Sequence, residues 1–385
     1  MKNTLVVISK DKLIATDTVA PIIRKYKEVV NGIVYFYVPH RRTFEYIKEN
    51  FILYNAISEV SNIRVIAYGK KLKRRILYIK ILFLWLFLAL RGAKFIHFGF
   101  LNNWPFSLIA KINPNNIYYM QNDTYYHTNS ESRAKAHGLG NVNEILYGKW
   151  ENSIDICGNN IISNSYDNFF LKNPKNKCKN IFIVSGTRLN DSWLNFIYKN
   201  EYKYDELYSG VDFSNGIIVY ALGTFEPHDS MRNIDSAKEL FKETMGMLVE
   251  LDLDIPIFIK PHVYTQMEYV EKVLSNINSD NVYISYLHPT LLAIRARVWI
   301  CFGYSTTCAD AYCMGVKTIE YTDYNDSFLN VCLGRSVGHQ YIDYFIQRNT
   351  EEFCNVLLNL LDGDYSPNKK RCKFIDDSDI VKHLS

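Results

Sequence analysis

Several short signatures are missing from this 385-residue chain, and each absence removes a class of function. There is no GxxxxGK[ST] loop, which argues against P-loop ATPases. No GxGxxG follows the first apolar run, and Gly138-Leu139-Gly140 stands mid-chain without a third glycine in register, which argues against a nicotinamide dehydrogenase. HExxH, EF-hand and zinc-ligand spacings are missing too, and a metalloprotease reading goes with them. Eight cysteines occur without one CxxC pair in a chain far longer than a stapled secreted scaffold, so reduced thiols in a cytoplasmic compartment are expected. A net charge of +4 sets up no global field that demands nucleic acid, and no such partner is expected. Short repeats and low-complexity tracts are lacking. The opening MKNTLVVISKDK has only a brief apolar run before charges return, so it reads as a first strand, not a signal peptide.

What is present is ordinary globular composition, 48% hydrophobic and 22% charged. At roughly 150 residues per domain, the length suggests two or three domains. Apolar runs rich in β-branched and aromatic residues recur at Leu5–Ile8, Ile33–Val38, Arg64–Ala67, Phe95–Phe98 and Ile117–Met120, with helix-length segments between. A second series starts after residue 180, at Ile181–Val184, Ile217–Leu222, Ile255–Ile259, Val282–Ser285, Val298–Phe302 and Thr318–Tyr321. Ser236–Leu251 and Gln266–Ile277 read as helices within it. Such βα alternation implies parallel sheets covered on both faces. Two series read as two Rossmann-like doubly wound α/β domains, 1–190 and 191–385, joined within the polar stretch 185–215.

One segment stands apart. Lys70, Lys71, Lys73, Arg74 and Arg75 precede the fifteen apolar-rich residues Ile76–Leu90. A helix of that length spans about 22 Å, short of the ~30 Å hydrocarbon core, so it does not read as a transmembrane span. Two readings stay open: a helix buried beside the first sheet, or a basic and apolar helix making peripheral contact with an anionic membrane through 70–90.

Three strand ends carry candidate chemistry. In Val298–Asp323, an apolar strand ends at Gly303 and Ser305, Thr306 and Thr307 open a helix that Gly315 closes. Free N–H groups and the helix dipole can hold a phosphate there, although Ser and Thr are also ordinary helix caps. In IPIFIKPH (255–262), a buried strand delivers Lys260 and His262, both able to pair with phosphate oxygens. In IIVYALGTFEPHDS (217–230), the strand ends in Gly223-Thr224, where glycine permits close backbone approach. Together these describe a nucleotide-phosphate pocket without a P-loop.

The order of KPH, the Leu-His-Pro-Thr-Leu-Leu segment (287–292), STT and Gly-Val-Lys-Thr-Ile-Glu (315–320) resembles the donor half of bacterial surface-polysaccharide glycosyltransferases, the capsule and sialyltransferase-like enzymes. The resemblance covers about residues 180–325. It implies the GT-B fold, with two Rossmann-like domains facing across a cleft, the first binding acceptor and the second a nucleotide-sugar. In relatives that use CMP-activated sugars, a His-Pro motif and a Ser/Thr pair hold the nucleotide; on that likeness His262 and Ser305 with Thr306 take those roles, and Glu320 joins the donor ligands. An acidic residue after a strand of the first domain is the base in such enzymes, and in IYYMQNDTYYH (117–127) it is matched by Asp123, whose other reading is an Asx turn or helix cap. His127, His137 and Glu144 are weaker candidates nearby.

Asp252-Leu253-Asp254 has a DxD form but falls between a helix and the start of a strand, so no metal is expected there or elsewhere, and no cofactor apart from the nucleotide-sugar substrate. The expectation is therefore a metal-independent glycosyltransferase, with His262 and Asp123 catalytic, transferring a sialic- or Kdo-like sugar from a CMP donor to a glycan or glycolipid acceptor at the inner face of a bacterial membrane. The alternatives are a teichoic-acid-type polyol-phosphate transferase and a membrane-docked nucleotide-sugar-binding protein without catalysis.

Overall fold

The computed structural model describes residues 3–11, 13–67, 71–120, 157–163, 179–184, 186–223, 225, 234–262, 265–277, 279–303, 305–331, 333–336, 338–365 and 378–385. The described chain forms two compact units, one running to Tyr198 and including residues 378–385, the other running from Lys199 to residue 365. The expected division after residue 190 thus differs at both ends: the helix Asp191–Lys199 lies almost wholly with the first unit, and so does the carboxy-terminal helix Ser378–Leu384. Ile380, Val381 and Leu384 of that last helix are buried, and His383 packs its ring on Phe182 and Tyr118.

The first unit holds seven parallel strands, β1 (Thr4–Ile8), β2 (Ile33–His40), β3 (Asn62–Ala67), β4 (Lys94–His97), β5 (Ile117–Met120), β6 (Asn160–Ser163) and β7 (Asn180–Ile183), in the order β3-β2-β1-β4-β5-β6-β7. The second holds β8 (Ile217–Ala221), β9 (Ile257–Lys260), β10 (Val282–Ile284), β11 (Ala296–Cys301), β12 (Lys317–Thr322) and β13 (Tyr344–Gln347), in the order β10-β9-β8-β11-β12-β13, again all parallel. The run Ile181–Val184, expected to open the second series, instead closes the first sheet by pairing with β6.

β6 and β13 are not among the runs that the sequence marks; a polar residue closes each after two or three apolar or aromatic ones. Asn160 opens β6 fully buried. It is tolerated because its Nδ2 donates to the carbonyls of Asn115 and Ile117 at 2.8 and 3.1 Å, while its Oδ1 accepts from Asn180.

Cysteine chemistry also departs from expectation. Cys313 is disulfide-bonded, whereas Cys157, Cys301, Cys308 and Cys354 are in the thiol form. Sequence spacing is silent on such a bond, because tertiary contact brings the sulfurs together.

The helix Lys71–Leu90 covers the first sheet with one face. Fully buried Trp85 is its anchor, with Tyr37, Phe106 and Phe100 rings 4.9, 5.3 and 5.9 Å from it. Phe83, two residues earlier and so on the opposite side, is 67% exposed. Trp85→Ala should therefore cost about 3–5 kcal/mol by opening a cavity, and Phe83→Ala less than about 0.5 kcal/mol. Denaturant titration of the two variants checks the contrast.

Candidate functional site

The second sheet reverses direction between β8 and β11: the chain winds outward through β9 and β10, then crosses back to begin β11. In open α/β sheets the crevice outside the carboxyl ends at such a reversal receives ligands, because the loops on either side part there. The register sets Lys260 beside Ala221, Ala221 beside Cys301 and Cys301 beside Glu320, one row across β9, β8, β11 and β12. Gly223, Lys260, His262 and the 305–307 triplet thus share one edge of one sheet. Thr224 lies outside the described residues.

Ser305 caps the helix Thr306–Cys313 from extended backbone, φ −137° and ψ 146°. Its Oγ accepts from the Thr307 backbone N–H at 3.4 Å and from the Thr307 hydroxyl at 3.1 Å. The cap role is therefore real, and it leaves the Ser305 O–H as a donor. All three hydroxyl residues are half-buried at the amino end of the helix. Gly315, at φ +100°, closes the helix in a conformation L-residues resist.

His262 is exposed and Lys260 half-buried, its Nζ 3.5 Å from the Pro261 carbonyl. A residue the sequence reading passed over ties this loop to its neighbour. The Thr265 hydroxyl accepts from the His262 backbone N–H at 2.8 Å and donates to the Gly223 carbonyl at 2.9 Å. The Thr265 N–H returns to the His262 carbonyl at 2.9 Å. One threonine thus fixes the β8 and β9 loops side by side. Nothing in the sequence marks it, because a threonine three residues after a histidine is an ordinary turn.

Other residues of the motif serve the frame. Glu320 is fully buried in β12, and its Oε1 accepts from the Tyr324 hydroxyl at 2.5 Å. Buried His288, within the 287–292 segment, caps the helix Pro289–Arg295 by accepting the Thr290 N–H at 3.2 Å. Asp252 and Asp254 sit ahead of β9, at the sheet edge opposite the strand ends just described, with Asp252 at φ +45° after the helix Ile234–Glu250.

The first sheet reverses between β1 and β4. Asp123, with His127, His137 and Glu144, lies outside the described residues. The described carboxyl edge carries a pair that sequence reasoning missed: His40, last in β2, sets Nε2 3.2 Å from Asp11 Oδ2, just beyond β1. Thr43 donates to the other oxygen, Asp11 Oδ1, at 3.2 Å. Both side chains are about half exposed, 50% and 55%. The signal was the same as in the second half, polar residues at the carboxyl ends of adjacent apolar strands, here Ser9-Lys10-Asp11 and His40.

His97, at the end of β4, is different. It is fully buried, and burial depresses its pKa to about 4, so the ring is neutral. Nδ1 accepts the Gly99 N–H at 3.1 Å, which leaves the proton on Nε2, 3.4 Å from the Cys157 carbonyl.

With the geometry in place, comparison with known proteins shows the fold. No family model and no curated protein matches the chain. The UDP-GlcNAc 2-epimerase of Neisseria meningitidis, solved bound to UDP-GlcNAc, is similar with a TM-score of 0.53 at 12% identity, over 93% of this chain and 91% of that one. Arabidopsis thaliana UGT89C1, complexed with UDP, reaches 0.50 at 10% identity over 93% and 91%. The two Rossmann-like sheets of seven and six parallel strands are those of the GT-B fold.

Two outcomes are expected. An unfolded histidine binds its proton near pH 6.5, but His97 in the native state does so only near 4. Its contribution is full above 6.5, declines as pH falls toward 4, and amounts to about 3 kcal/mol. Denaturation at about pH 7.5 and about pH 4 should show a smaller acid loss in His97→Gln than in the wild type. Thr265→Val should cost about 1–2 kcal/mol by leaving the His262 N–H and the Gly223 carbonyl unpaired, measured by urea unfolding.

Proposed function

We propose that the chain is a glycosyltransferase that moves a sugar from a nucleotide-activated donor to a surface glycan, and that the second unit holds the donor. The observation that carries this reading is the gathering of Lys260, His262, Gly223 and the Ser305–Thr307 helix start at the reversal point of one sheet, with Thr265 tying the first two loops together. The GT-B fold, shared with proteins solved with UDP and UDP-GlcNAc, supports it.

In the proposed reaction an acceptor hydroxyl attacks the anomeric carbon, the bond from that carbon to the donor phosphate oxygen breaks, and the electron pair leaves with the nucleotide. Lys260, His262 and the N–H and hydroxyl groups of 305–307 meet the charge that develops there. Glu320, expected among the donor ligands, is fully buried and holds the Tyr324 hydroxyl instead. The acceptor's proton goes to His40 Nδ1, with Asp11 on Nε2 steadying the resulting imidazolium. Asp123 is the alternative base. The resemblance of the Lys-Pro-His and Ser-Thr-Thr segments to CMP-sugar enzymes favours a CMP-activated sialic- or Kdo-like donor.

A second reading has its own support, since the Neisseria structure is a UDP-GlcNAc 2-epimerase. An epimerase would alter UDP-GlcNAc at C2 with no acceptor present, which proton NMR of the incubated nucleotide-sugar would reveal. A transferase leaves it unaltered.

A thermal-shift panel of CMP, CDP, UDP and GDP tests the donor site. A nucleotide at a hundred times its dissociation constant adds about 2.7 kcal/mol to the native state. The expected result is a shift that Ser305→Ala with His262→Ala removes while the unliganded melt is kept; no shift with any nucleotide overturns the reading. His40→Gln should keep the shift yet lower transfer to a cell-envelope glycan extract at least about a hundredfold. If Asp123→Asn does this and His40→Gln does not, the base is Asp123.

A further inference from the structure

The helix Lys71–Leu90 has two apolar faces, and among the described residues only one is covered. Ile81, Trp85, Leu88 and Ala89 are buried against the first sheet. Leu72, Ile76, Ile79, Phe83, Phe87 and Leu90 follow one another at intervals of three or four residues, so they form a continuous stripe along the opposite side, each between 46% and 72% exposed. The following segment extends the apolar surface. Phe106 packs on Tyr78 and Trp85 of the helix, and beside it Trp104 is 81% exposed and Leu108 and Ile112 are 37% and 47% exposed.

The charge of this region is one-sided. Residues 60–122 contain ten lysines and arginines and no aspartate or glutamate, in a chain whose total is only +4. Arg75, one residue before Ile76, and Lys80, one after Ile79, lie exposed on either side of the stripe. An apolar stripe flanked by cations alone complements a surface that is apolar beneath and anionic above. Among the described residues no helix is long and apolar enough to cross a membrane, so such a helix would lie in the plane of the surface.

We propose that this face docks the protein on an anionic lipid bilayer, the stripe entering the acyl boundary and the cations meeting the lipid phosphates. The helix starts four residues beyond Ala67, which lies in register with His40 across β2 and β3. Docking in the plane of the surface lays the helix-covered face of the first sheet against the lipid. The docking face stands independently of the transferase reading.

Co-sedimentation with vesicles tests it, using phosphatidylcholine alone and phosphatidylcholine with about one third phosphatidylglycerol. The expected result is binding to the anionic vesicles that Ile79→Glu with Phe83→Glu abolishes. Arg75→Gln and Lys80→Gln together should weaken it about twenty-five-fold, at about fivefold per cation. Unchanged thermal melts would confirm that these exposed substitutions leave the fold intact. Equal binding to both vesicle types overturns the anionic specificity, and absence of binding to either overturns the proposal. Sedimentation velocity reads the rival occupant: a dimer that Phe83→Glu splits, with no vesicle binding, assigns the stripe to a second copy of the chain.

Discussion

Every strand in both sheets runs parallel to its neighbours, so each connection must return over a face of the sheet, and the helices that make the return bury both faces. One consequence is chemical. With the strands buried, functional groups can gather only where the chain leaves them, and at the carboxyl ends the loops part wherever strand order reverses. The β8–β11 reversal gives Lys260, His262, Gly223 and the Ser305 cap one common edge, and the β1–β4 reversal does the same for Asp11, His40 and His97.

The two edges solve the problem of polar groups in different ways. His97 is held neutral in the dry interior and bonded on both nitrogens to loop backbone. His40 is kept half in solvent with a carboxylate on one nitrogen. In the second unit the polar groups at the strand ends stay half-buried or exposed, and the fully buried Glu320 and His288 hold Tyr324 and a helix start. Backing of this kind fixes the loops from behind.

The helix Lys71–Leu90 shows how one element can answer two demands. Trp85 secures the first sheet, and the same helix turns a second apolar row outward beside cations. A choice between core and surface was the wrong question for it. A sequence that is apolar nearly all round a helix satisfies both partners at once, and only the packing shows which residues belong to which.

Eleven of the strands could be read from runs of β-branched and aromatic residues, because a strand buried on both faces has little room for anything else. Their alternation with helices determined the two-sheet α/β plan, and the strand-end rule pointed to residues 260–262 and 305–307. The sequence could not show that Asn160, at the start of β6, would donate to the carbonyls of Asn115 and Ile117, that Ile181 would join the first sheet, that Cys313 would find another sulfur, or that Thr265 would bridge two loops. Those outcomes depend on contacts between residues remote in the chain, and the His40–Asp11 pair is of the same kind, made by two strands that lie side by side only after folding. Local pattern sets which segments are strands and helices; only their assembly decides which polar groups meet.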